Sequence, residues 1–143
     1  MGVSPLCRKF AAILGAQPMV INGVCTASRV RNNIKPTILG KPSKSFLAIP
    51  QAFSFESIGR DGKALCLGET VILTGEINRF ITKLREHGIL VTALHNHWLF
   101  TNPNIWYIHF EKKERPLTFA REARDALDVL TTKIVRPRII LKK

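Results

Sequence analysis

The sequence predicts a single α+β domain: an antiparallel-rich sheet with its helices on one face. Three observations carry that reading. Several short segments alternate apolar and polar residues and are bounded by Gly, Pro or Asn, the pattern of antiparallel strands joined by turns. Three other segments repeat apolar residues at the helical period and carry start and stop signals at their ends. Over residues 63–131 the order reads β-α-β-β-α, half of a split βαβ arrangement. At 143 residues, with 45% hydrophobic and 22% charged, the chain holds enough apolar side chains for one core and too many for a disordered state. The expected organisation is one domain over 1–132 and a basic tail over 133–143.

Taken in order, Ser4 and Pro5 open a helix over about 5–14, a hydroxyl N-cap followed by proline at the first helical position. Leu6, Phe10 and Ile13 form its stripe, and Gly15 suits the left-handed residue that ends it. Asn22-Gly23, set between Val20-Ile21 and Val24-Cys25, is a hairpin turn. Ile34 and Thr37 to Leu39 suggest a further strand, closed by Gly40-Lys41-Pro42. A longer strand is expected from Phe46 to Glu56, turned by Asp61-Gly62 into another from Lys63 to Leu73. On that strand Leu65, Leu67, Glu69, Val71 and Leu73 share a face, with Glu69 the polar exception. Thr74 is expected to cap a helix whose stripe is Ile77, Phe80, Ile81 and Leu84. Gly88 stops it just after His87, whose imidazole suits a helix C-terminus. Strands over about 89–99 and 105–111, joined through Thr101 to Asn104, precede a last helix opened by Pro116 with Leu117, Ala120, Leu127 and Leu130 on one side.

The net charge is +12, from 22 Lys and Arg against 10 Asp and Glu. It is unevenly spread. Residues 1–44 hold seven bases and no acid, 45–132 hold ten of each, and 133–143 hold five bases and no acid. An anion-binding role would therefore fall to the ends. Arg136, Arg138, Lys142 and Lys143 would serve as an arm for nucleic acid or an anionic surface. No zinc-finger, helix-turn-helix or RNA-recognition motif accompanies them. Cys7, Cys25 and Cys66 are odd in number and widely spaced, with no CxxC pair, so the expectation is three free, mostly buried thiols in a reducing compartment. No secretory or myristoylation signal reads at the start, and no apolar run is long enough for a membrane-spanning helix. The expected location is the cytoplasm.

Three of the four histidines fall within fifteen residues: His95, His97 and His109. In a strand the spacing of two puts His95 and His97 on one face. A hairpin centred on Pro103 would set His97 opposite His109, with His95 one step along. The other face would then carry Leu94 and Trp98 against Trp106, Ile108 and Phe110, a core-facing set. Three neutral imidazoles converging on one point form a transition-metal site with an open position, and zinc is the first expectation; copper, nickel or iron fit the same donors. Glu69 is the preferred carboxylate, as fourth ligand or general base, ahead of Glu56 and Glu111. The chemistry that follows is a metal-dependent hydrolase or a metal-binding or metal-sensing protein. The competing readings are a basic interaction module with structural histidines, and an oligomeric partner protein that covers its open sheet face with another copy.

The stretch from Gly68 to Phe110 resembles the bacterial domain-of-unknown-function family typified by the LppY/LpqO lipoproteins. Val91-Thr92-Ala93-Leu94-His95-Asn96-His97 matches that family's VTALHNH heptad in full, and His109 falls at its later histidine. A weaker similarity runs from about Cys7 to about Leu130. The resemblance implies a bacterial protein, often exported, and strengthens the histidine site while bringing no reaction with it. Many relatives carry glutamate just before the loop proline, where this chain has Asn102. If that glutamate binds metal in them, the shell here has one ligand fewer.

Overall fold

The computed structural model describes residues 2–139. Helix α1 (Pro5–Leu14) leads into strands β1 (Gln17–Ile21) and β2 (Val24–Val30). Two short strands, β3 (Thr37–Ile38) and β4 (Lys41–Pro42), precede the long β5 (Pro50–Glu56) and β6 (Ala64–Leu73). A 3₁₀ turn over Thr74–Glu76 then opens α2 (Ile77–Glu86), followed by β7 (Leu90–His95), β8 (Thr101–Asn102), β9 (Ile105–Glu114) and α3 (Pro116–Leu127). Six strands form one antiparallel sheet in the order β1-β2-β5-β6-β9-β7, and β4-β3-β8 form a second, small one. The chain is thus an α+β domain of the expected class.

All three helices lie on one face of the large sheet. Phe10 and Leu14 of α1, Phe80 and Leu84 of α2, and Phe119 and Ala123 of α3 are buried against Ala27, Phe53, Cys66, Ile72, Ile108 and Phe110. Helix α1 starts as the sequence indicates, with the Ser4 hydroxyl accepting the Cys7 N–H at 3.1 Å and Gly15 left-handed at φ 66°. At the far end of α2, His87 bridges to α3, its Nε2 2.7 Å from Asp125 Oδ2. The helix-facing row of β6 contains Gly68. A Cβ there would lie 2.3 Å from the Phe110 ring, which is itself wedged against Phe80 with centroids 5.8 Å apart. Gly68→Ala should therefore cost about 1–3 kcal/mol by overpacking, read as a lowered midpoint in denaturant.

The opposite face of the sheet is only half covered. Val71 and Leu73 of β6 and Ile105 and Tyr107 of β9 pack under residues 30–49, against Ile34, Ile38, Ala48 and Ile49. Beyond that cover the same row of β6 continues as Glu69, Leu67 and Leu65, with both leucines partly exposed. The small sheet thus ends where the chemistry-bearing residues begin.

Four local expectations are corrected. Cys7 and Cys25 are not free thiols but a disulfide, Cα to Cα 5.6 Å, and Cys66 alone is free. The β1–β2 hairpin folds Cys25 back against the first turn of α1, a proximity that a separation of 18 residues does not advertise. The strand expected from Phe46 starts only at Pro50: the Ser45 hydroxyl accepts the Leu47 N–H and holds that segment in a turn. Thr74 is not a helix cap. Its hydroxyl accepts from Trp106 Nε1, and the Glu76 carboxylate takes the Leu73 N–H instead. Strand β7 stops at His95, so Trp98 leaves the sheet and is not core.

The segment after Thr132 lies back on the body. Val135 makes a parallel bridge with Ile34, and the Asn102 amide pairs with both the N–H and the carbonyl of Arg138. Lys142 and Lys143 lie outside the described residues. No helix among the described residues is long and apolar enough to cross a membrane.

Candidate metal site

The open face of β9 supplies His109, and the antiparallel register decides what surrounds it. Glu69 of β6 sits directly opposite on one side and Ala93 of β7 on the other. Over Ala93 to His95 the β7–β9 register differs from the expected hairpin by four positions, because β8 leaves the connection to pair with β3. A shift by an even number keeps every side chain on its face. His95 therefore stays on the face of His109, paired with Tyr107, and His97 follows just beyond the end of the strand.

The three imidazoles converge. Ring centroids are 4.6 Å apart for His95 and His97, 5.0 Å for His95 and His109, and 5.9 Å for His97 and His109. One nitrogen from each can be chosen so that all three lie within 4.8 Å of one another. Three imidazole nitrogens this close are a donor set that one small cation could share.

Two of the three rings are held by something specific. His97 stacks flat on Tyr107, centroids 3.9 Å apart and planes 4° from parallel. Tyr107 is a rigid platform, since it is buried and its hydroxyl donates to the Ala48 carbonyl at 2.6 Å. Burial pushes its phenol up to about 12, so it stays protonated. His109 Nδ1 lies 3.3 Å from Glu69 Oε2, while its Nε2 is buried and has no hydrogen-bond partner among the described residues. With its proton on Nδ1 toward the carboxylate, the ring would present at Nε2 the lone pair that a metal ligand requires. Burial, and after it the proximity of His95 and His109, holds the His97 imidazole below its ordinary value. A neutral ring at neutral pH is again the ligating form.

Glu69 is thus adjacent to the site but behind His109, and the converging set is the three histidines. Glu56 lies four positions along β5 from the partner of Glu69, and Glu111 pairs with Leu67; neither joins the cluster. Asn102 is occupied by the Arg138 backbone. Tyr107 joins the site as the platform under His97, a role that its place on the face of His109 did not by itself assign.

From His109 and Glu69 a groove of ≈ 470 Å³ runs across β6, β5 and β2 toward the β1–β2 turn, lined by Leu67, Ala52, Ser54, Glu56, Thr26 and Val24 among others. Arg136 and Arg138 are exposed and line a separate cavity of ≈ 580 Å³ with Thr74, Thr101 and Asn104.

The chain belongs to the family described as Domain of Unknown Function (DUF1259), whose profile matches residues 8–129. No curated protein and no solved structure matches it.

Proposed function

We propose that this domain binds a single transition-metal ion, zinc by first preference, through His95, His97 and His109. The observation that carries the reading is the buried, unpartnered Nε2 of His109, a polar atom that costs free energy unless something fills it. Two further imidazole rings, centred 5.0 and 5.9 Å from that of His109, make a cation the natural occupant. The similarity of the VTALHNH heptad to the LppY/LpqO proteins supports the same residues.

Glu69 is best read as the group that orients His109 and sharpens its basicity through Nδ1, rather than as a fourth ligand. The three histidines then leave a fourth position without a protein ligand, which favours a metal that acts on a bound molecule over a closed structural site. The ion would supply Lewis-acid polarisation and a water of lowered pKa, and hydrolysis is the chemistry that suits them. The Cys7–Cys25 disulfide favours an oxidising compartment over the cytoplasm.

Competition titration against a chromophoric zinc chelator tests this. Wild type should take one ion per chain, and His97→Ala should lose it. Glu69→Gln should keep the site but weaken it by about 10–100-fold. A wild type that takes no metal, or a His97→Ala variant that binds as tightly, contradicts the proposal.

A further inference from the structure

Beside the histidines, three turns present apolar side chains to solvent. Leu99 and Phe100 are each 76% exposed, Leu39 is 72% and Leu47 64%, with Phe46 and Trp98 also exposed. They form one surface. Residues 98–100 are consecutive, Trp98 Nε1 donates to the Leu47 carbonyl at 3.0 Å, and the Leu39 N–H donates to the Phe100 carbonyl at 3.1 Å. Isolated exposed leucines are ordinary, but six large apolar residues on adjoining turns mark an interaction surface. These are projecting tips rather than the walls of a groove.

Charge selects the occupant. Lys41 lies opposite Ile38 in the small sheet and Lys44 stands just before the next turn, both exposed. Arg138 is pinned beside β8 through Asn102. None of the ten Asp and Glu residues falls before Glu56 or between Glu86 and Glu111. The turns that build the patch therefore carry bases and no acid.

We propose that this surface docks on an anionic phospholipid bilayer. Leu39, Leu47, Leu99 and Phe100 would enter the headgroup and acyl boundary, with Lys41, Lys44 and Arg138 against lipid phosphates. Trp and Leu at projecting tips with flanking lysines form the combination that binds an interface without spanning it. Each base near an anionic leaflet adds attraction that salt screens, while the apolar contacts persist. His97 and Trp98 stand edge to face with centroids 6.3 Å apart, so docking would hold the histidine cluster at the membrane boundary. The proposal does not depend on what the histidines bind.

The test is flotation of the full chain with vesicles of phosphatidylcholine containing phosphatidylglycerol, and with phosphatidylcholine alone. Wild type should float with the anionic vesicles and far less with the neutral ones. The double variant L99D/F100D, at positions exposed enough to leave the fold intact by circular dichroism, should bind at least about tenfold more weakly. K41E/K44E should lose the preference for anionic lipid. Wild type that stays unbound, or binding that L99D/F100D leaves unchanged, overturns the proposal. So does a dimer that forms without lipid and is abolished by L99D/F100D in sedimentation velocity, which would assign the patch to a second copy.

Discussion

Glu76→Ala should destabilise the protein by about 3–5 kcal/mol, the usual cost of stranding one partner of a buried ion pair. Arg31 and Glu76 have side chains only 4% and 5% exposed. Both Glu76 oxygens accept from the Arg31 fork, at 2.8 and 3.1 Å, and they also take the N–H groups of Leu73 and Thr131. Arg31 in turn reaches the carbonyls of Val71 and Thr131. One carboxylate thus ties the end of β2, the entry to α2 and the exit from α3. Removing it leaves a guanidinium buried and three elements untied. Arg31→Met combined with Glu76→Leu should cost much less, because no charge is then left alone. Thermal melts of the single and double variants read the difference.

The same pair sets an acid limit. Burial alone would raise the Glu76 carboxyl, but the Arg31 fork, together with the Leu73 and Thr131 amides, holds it below its ordinary value. A carboxyl lowered in the folded state contributes stability above its unfolded pKa of about 4.3 and loses that contribution as pH falls through the folded value. Stability should therefore fall below about pH 4.3, and this part of the fall should be missing from Arg31→Met/Glu76→Leu.

Reducing the Cys7–Cys25 bond should cost about 3 kcal/mol, from the loop closure it removes from the unfolded chain over a separation of 18 residues. Denaturant unfolding with and without dithiothreitol measures it. Thiol titration of the unreduced, unfolded protein should count one free thiol per chain, that of Cys66. An unchanged midpoint on reduction would contradict the account of α1 as stapled to the hairpin.

Much of this structure is set by local signals that need no tertiary contact. Ser4-Pro5 and Gly15 bound α1, Asn22-Gly23 turns β1 into β2, and both are decided by backbone chemistry within a few residues. The histidine cluster was legible for a similar reason: faces follow parity, and parity survived a register shift of four. What could not be read depends on distant chain. Strand parity puts Trp98 on the core-facing side with Leu94, but the strand ends at His95. The place of Trp98 outside the sheet is set by Leu47, fifty-one residues away. The disulfide needed the hairpin to fold back on α1. Nothing local marks Glu76 as structural; Arg31, forty-five residues upstream, makes it so. The role of Glu69 turned on which ring nitrogen of His109 it faces, a distinction that spacing alone does not carry.

X-ray absorption at the metal edge of the zinc-loaded protein tests the central claim most directly. The account predicts one zinc per chain with a shell of three imidazole nitrogens at about 2.0–2.1 Å, completed by a light oxygen donor and containing no sulfur. That imidazole signature should vanish in His109→Ala. A protein that takes up no zinc, or holds it without the three-histidine shell, would contradict it.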